Sequence, residues 1–169
     1  WAAANLEVTL CGDDNGFAYK GYPCFNAPDA IVDALKAEAE KAGKTVEIDI
    51  QVAGEAGLCT TVINTFTAKK VDLIMANATP ALQAAAAATE DIPILGTSVT
   101  EYGVALGIDG FTGLVGNNIS GTSDLAPLDK QAAMVQEWFP DAKNVGLLYC
   151  SAEPNSQYQV DTIKGLLED

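Results

Sequence analysis

The sequence predicts an α/β fold, a three-layer arrangement of one parallel sheet with helices on both faces. Three observations predict it. Short apolar runs alternate with amphipathic stripes in the order β-α-β-α-β-α-β, a glycine-rich crossing, then α-β-α. The run Val71-Asp72-Leu73-Ile74-Met75-Ala76 is short and mostly β-branched or large, as a strand buried on both faces requires. The chain then turns through Asn77-Ala78-Thr79-Pro80 straight into an alanine-rich helix. Such exits lie on the carboxyl edge of a parallel sheet, where open α/β folds bind ligands.

Taken in order, Leu6 to Leu10 reads as the first strand. The connection from Cys11 to Asn26 is long, and it carries Asp13, Asp14, Tyr19, Tyr22 and Phe25; it is either a ligand-facing flap or a surface insertion. Asn26-Ala27-Pro28-Asp29 starts a helix whose apolar stripe is Ile31, Val32, Leu35 and Ala39, ended by Gly43. Thr45 to Ile50 alternates as a second strand, and Leu58, Val62, Ile63 and Phe66 form the next helical stripe, closed by Lys69-Lys70. After the central strand, Thr79 reads as the cap and Pro80 as the first residue of a helix running to about Thr89. Its free N–H groups suit an anion, with the Thr79 hydroxyl as an added donor; from this segment alone Thr79 reads first as a cap. Asp91 to Ser98 gives a fourth strand ending in hydroxyls. Val99 to Gly121 has no clear periodicity and is read as a connector with one short strand around Leu114-Val115. Ser123-Asp124 precedes Leu125-Ala126-Pro127, and a helix to about Phe139 follows, then a strand from Val145 to Tyr149, a polar exit at Ser151 to Ser156, and a last helix bearing Val160, Ile163, Leu166 and Leu167.

Composition limits the function. Among 169 residues, 49% are apolar and 19% charged, which is a globular balance. The net charge of −14 argues against nucleic acid or an anionic membrane as partner, since both need a cationic face. There is no histidine, so histidine-based triads and the usual zinc sites are excluded, and no cofactor is expected. Cys11, Cys24, Cys59 and Cys150 lack metal-ligand spacing; they are disulfide candidates with three possible pairings, or ordinary thiols. The start at Trp1, without Met, reads as a trimmed or recombinant end.

Several stretches together carry a family resemblance. They are Val71-Asp72-Leu73-Ile74, Ala78-Thr79-Pro80-Ala81-Leu82-Gln83, Asp91-Ile92-Pro93-Ile94, Thr97-Ser98-Val99-Thr100, Asn117 to Asp124, Pro140 to Tyr149, and Glu153-Pro154-Asn155-Ser156. From about Ala27 to Asp169 the chain resembles the substrate-binding proteins of ABC transporters, of the tryptophan/tyrosine-binding type. It departs from them at Cys11 to Phe25, which is longer than the usual segment there and has no histidine.

The resemblance implies a type I periplasmic-binding-protein-like lobe over 1–121. Residues 122–169 would be a crossing plus the opening helix-strand-helix of a second lobe, so the chain is expected to be a fragment of a two-lobe protein. It implies capture of a small solute, an aromatic amino acid, and delivery to an ABC permease in the membrane. The setting would be extracytoplasmic, in a periplasm or at a cell surface, with a lipid anchor as one form of attachment. The implied ligand residues are Thr79, Ser98 and Thr100 from the first lobe, Asp124 in the crossing for the ligand's ammonium, and Glu153, Asn155 and Ser156 from the second. Each has a plainer role open to it, as a helix cap or turn. The implied fold also puts Cys59 and Cys150 near the cleft edge, where a bridge would tie the lobes. If half the pocket is missing, binding is weak and an exposed apolar face invites dimerisation. Two other classes stand beside this one. A receptor could use the same lobe as an extracellular ligand sensor. An enzyme on a flavodoxin-like fold would need chemistry that the chain lacks in histidine, phosphate-binding glycine motifs and paired carboxylates.

Overall fold

Alternating apolar runs and helical stripes resolve, in the computed structural model, into the elements β1 (Asn5–Gly12), α1 (Pro28–Lys41), β2 (Thr45–Val52), α2 (Ala56–Lys69), β3 (Leu73–Asn77), α3 (Thr79–Ala88), β4 (Ile94–Val99), α4 (Tyr102–Leu106), β5 (Ile119–Ser123), α5 (Leu128–Trp138) and α6 (Pro154–Glu168). The structure describes residues 5–12, 28–54 and 56–168. Asp13, Asp14, Tyr19, Tyr22, Cys24 and Phe25 lie outside the described residues.

Among the described residues the strands form one parallel sheet in the order β2-β1-β3-β4-β5. The chain runs outward from β1 to β2, then returns past β1 to β3. With right-handed crossovers this reversal puts α1 on one face and α2 and α3 on the other. The reversal point is the gap between β1 and β3, beside the carboxyl end of β3.

Packing follows the period-two pattern of the strands. Ile74 and Ala76 of β3 and Ile94 of β4 are buried against Ile63 and Phe66 of α2 and Leu82 of α3. Leu73, Met75 and Leu95 alternate onto the opposite face and are half-buried. The alanine run now has a reason. Ala81 and Ala85 are buried beside Leu82, so small side chains let α3 lie close on the sheet.

The glycine-rich stretch holds more structure than its sequence pattern predicts. Glu101 starts α4 by accepting from the N–H groups of Gly103 and Val104, at 3.0 and 2.6 Å. Tyr102 then lies across Gly96 and Gly121, which are paired neighbours on β4 and β5. Its hydroxyl donates to the Thr122 carbonyl at 3.2 Å. Burial first, and then the charge of Asp124, push its phenol up from the ordinary value, so it stays a donor. The short strand is Ile119–Ser123, not Leu114-Val115; Leu114 is 81% exposed and has nothing to pack on. Asn118 Nδ2 ties the start of β5 to Thr89 and Ile92 carbonyls.

The expected strand from Val145 to Tyr149 is not formed. These residues carry no regular structure, and Leu148 is fully exposed. A strand is made by its neighbours, and among the described residues no strand pairs with this segment. Beside it, α5 and α6 pack on each other, and α6 also touches α4.

Two outcomes follow from these contacts. A β-carbon at Gly121 would overlap both the Gly96 carbonyl oxygen and the Tyr102 hydroxyl. Gly121→Ala is therefore expected to lower stability by about 2 kcal/mol in urea unfolding. On β2, a hydrogen bond from Lys69, and then one from Gln51, hold the Asp49 carboxyl below its ordinary value. A lowered folded value means that this contribution is full above the unfolded value and is lost as pH falls through the folded one. The pair is partly exposed and screened. Lys69→Ala should thus cost under about 1 kcal/mol at neutral pH, and the difference from wild type should close in acid.

Candidate functional site

β3 ends in Asn77, a polar residue 6% exposed at the end of an apolar run. The next residue, Ala78, has φ 80° and ψ 159°, a region that side-chain-bearing residues rarely enter. Its N–H donates to the Thr97 carbonyl of β4 at 2.9 Å, which holds the chain there. Helix α3 then begins at Thr79 itself, with Ala78 in the cap position and no side-chain cap. The expectation that Thr79 is the cap is thereby corrected. The sharp turn at Ala78 brings Thr79 into the first helical position and leaves its hydroxyl available for another bond.

Asn155 uses that hydroxyl. Its Nδ2 donates to Thr79 Oγ1 at 2.8 Å, across a separation of 76 residues, with Thr79 2% and Asn155 1% exposed. Asn155 lies in the first turn of α6, so the first turns of α3 and α6 meet at this bond. Among the described residues, the Oδ1 atoms of Asn77 and Asn155 are buried with no hydrogen-bond partner. Buried unpaired acceptors cost free energy of roughly 1–3 kcal/mol each. A donor brought to either atom recovers its share.

The other residues implied by the sequence sit around this centre to different degrees. Ser98 has φ 54° and follows Thr97, the residue that holds Ala78, at the irregular end of β4. The Thr100 carbonyl accepts from Ser123 Oγ at 2.6 Å, and Asp124 N–H donates to the Val99 carbonyl at 3.1 Å. These bonds pin the start of the crossing to the end of β4. Asp124 itself is exposed, and it does not cap α5, which starts after Pro127 without a side-chain cap. Glu153 accepts from Ser156 Oγ at 2.6 Å, a local pair at the start of α6. Cys59 is buried and Cys150 exposed, and no disulfide joins them.

Asn77, Ala78 and Tyr102 had no sequence signal as site residues beyond their position. A polar residue closing a buried apolar run marks Asn77, whereas the Ala78 backbone angle has no signature in an alanine. A groove of about 650 Å³ lies elsewhere, between α5, Phe139 to Leu147, and α6. No unpartnered buried polar group of the described residues lines it, so it lacks the centre found at Thr79 and Asn155. Among the described residues no three acidic or sulfur-bearing side chains gather as a metal site, and no helix is long and apolar enough to cross a membrane.

Residues 24–169 match the family model described as ABC transporter substrate binding protein. A tyrosine-binding protein of Clostridioides difficile (strain R20291) is 38% identical over 138 residues, covering 81% of this chain and 40% of that one. A Streptococcus pneumoniae ABC domain solved in complex with L-Trp superposes with a TM-score of 0.77 at 27% identity, over 97% of this chain and 54% of that chain. The ligand-free, open structure of a Clostridium difficile substrate-binding protein with adhesive properties gives 0.65 at 32% identity, over 96% and 54%. The chain thus spans about half the length of these solved relatives, and less of the curated one. Its fit to the ligand-bearing structure is the better one, although the identity runs the other way.

The backbone at Ala78 yields a test that needs no ligand. Ala78→Gly should raise stability by about 1 kcal/mol, the relief of strain less the entropy that glycine loses. A higher urea midpoint at unchanged slope would record it.

Proposed function

Because the chain belongs to the ABC transporter substrate-binding protein family, a binding-protein family, we propose that it captures an aromatic amino acid between the first turns of α3 and α6. In this reading it works outside the cytoplasm and hands its ligand to an ABC permease. The observation that carries the proposal is the buried meeting of Thr79 and Asn155, with the Oδ1 of Asn155 and that of Asn77, two residues before Thr79, both without a partner among the described residues.

The chemistry of that spot suits a zwitterion. The first-turn N–H groups of Thr79 and Ala81 have no partner within the helix, and Pro80 has no N–H to offer. With the Thr79 hydroxyl they form a place for a carboxylate, favoured by the helix dipole. The Oδ1 atoms of Asn77 and Asn155 are acceptors for an ammonium. Ser98 adds a hydroxyl at the same sheet edge, and Thr100, Glu153 and Ser156 hold the segments around it. Asp124 supplies negative charge from the crossing. The aromatic class of ligand rests on the relatives, one a tyrosine-binding protein and one solved with L-Trp.

Calorimetric titration with each of the twenty amino acids tests this. Tyr, Trp or Phe is expected to bind, and Thr79→Val should weaken that binding about tenfold. Binding of aliphatic or charged amino acids with none of the aromatic ones would overturn the ligand class.

A further inference from the structure

The Asn155–Thr79 bond has a direction. A hydroxyl has one proton to give and lone pairs to accept with, and a carboxamide nitrogen only donates. Asn155 Nδ2 donates to Thr79 Oγ1. Thr79 therefore meets Asn155 with a lone pair and keeps its proton for a different acceptor. Both side chains are almost wholly buried, so water is not at hand to rearrange the pair. Asn155 Oδ1, the other end of the same amide, is left as an acceptor without a protein partner.

We propose that Asn155 is a positioning residue that makes the site select carboxylates: by donating to Thr79 it turns that hydroxyl into a fixed donor at the start of α3. The inference rests on the ligand placement given above. A helix start attracts negative charge broadly. A hydroxyl whose proton is directed adds a demand for an acceptor atom at one place, which an ammonium or an alkyl group does not meet. The demand is set by residue 155 and only expressed by residue 79. An aspartate of the same shape would reverse it, because a carboxylate only accepts. Thr79 would then give its proton to position 155 and have none for the ligand.

Calorimetry on the full chain with three probes reads this out: L-tyrosine, tyramine, which lacks the carboxylate, and the des-amino acid of tyrosine, which keeps it. Asn155→Asp should lower the affinity ratio of L-tyrosine to tyramine about tenfold, and the des-amino acid should fall with L-tyrosine. In a Thr79→Val background the same exchange should move the ratio by no more than about twofold, since the hydroxyl is gone. Asn155→Ala adds no charge and covers an aspartate variant that fails to fold; it too must lower the ratio. Equal loss of L-tyrosine and tyramine would make Asn155 a packing residue and overturn the inference. So would an equal shift in the two Thr79 backgrounds, which would assign the effect to the new charge alone. A wild-type chain that binds none of the probes fails differently: it removes the ligand placement itself, and the inference goes with it.

Discussion

β3 is hydrogen-bonded on both edges, to β1 and to β4, and the rest of the structure is arranged by that constraint. A strand held on both sides cannot shift its register without turning its buried side chains outward. Its exit is therefore fixed as well. The bonding to β4 continues one residue past the strand, through Ala78 to Thr97. That bond holds Ala78 in a conformation that alanine would otherwise leave. The cost is local, and the return is the placement of Thr79 at the first position of α3 with its hydroxyl aimed away from its own helix.

The second half of the site comes from the far end of the chain. Between them stands the crossing from β5 to α5, and it is fastened where it leaves the sheet. Tyr102 fills the space above a glycine pair, while Ser123 and Asp124 bond to the backbone of Thr100 and Val99. The root of the crossing is thereby fixed to the end of β4. Small-residue positions at Gly96 and Gly121 thus serve the site without touching it.

Much of this was legible from residue pattern, and the parts that were not share a cause. Strands β1 to β4 and the long helices announce themselves because each buries a face whose period can be read locally. Thr79 was read as the cap of its helix, yet it is the first helical residue with Ala78 in the cap position, because only the turn at Ala78 decides it. Helix α4 and strand β5 were missed inside a glycine-rich stretch. Their stability comes from the local Glu101 cap together with Tyr102 seated across strands, and the second contact lies outside any local window. The strand expected at Val145 to Tyr149 erred in the other direction. Its residues prefer extended chain, but preference without a paired neighbour leaves a strand unmade. Asn155 was named only from a resemblance, and its bond to a residue 76 positions away is something no local pattern could show.

That separation of 76 residues between Thr79 and Asn155 has a consequence for the order of events as the chain is made. Contacts within the sheet join elements near in sequence and close early, whereas this one waits for α6. A growing chain can complete its sheet while the polar centre is still half built. A small molecule stabilises a protein only in the state that binds it. If this centre is the ligand site proposed above, solute present during synthesis finds it unfinished and cannot lock the sheet before α6 arrives. The polar centre is the last thing this stretch of chain acquires.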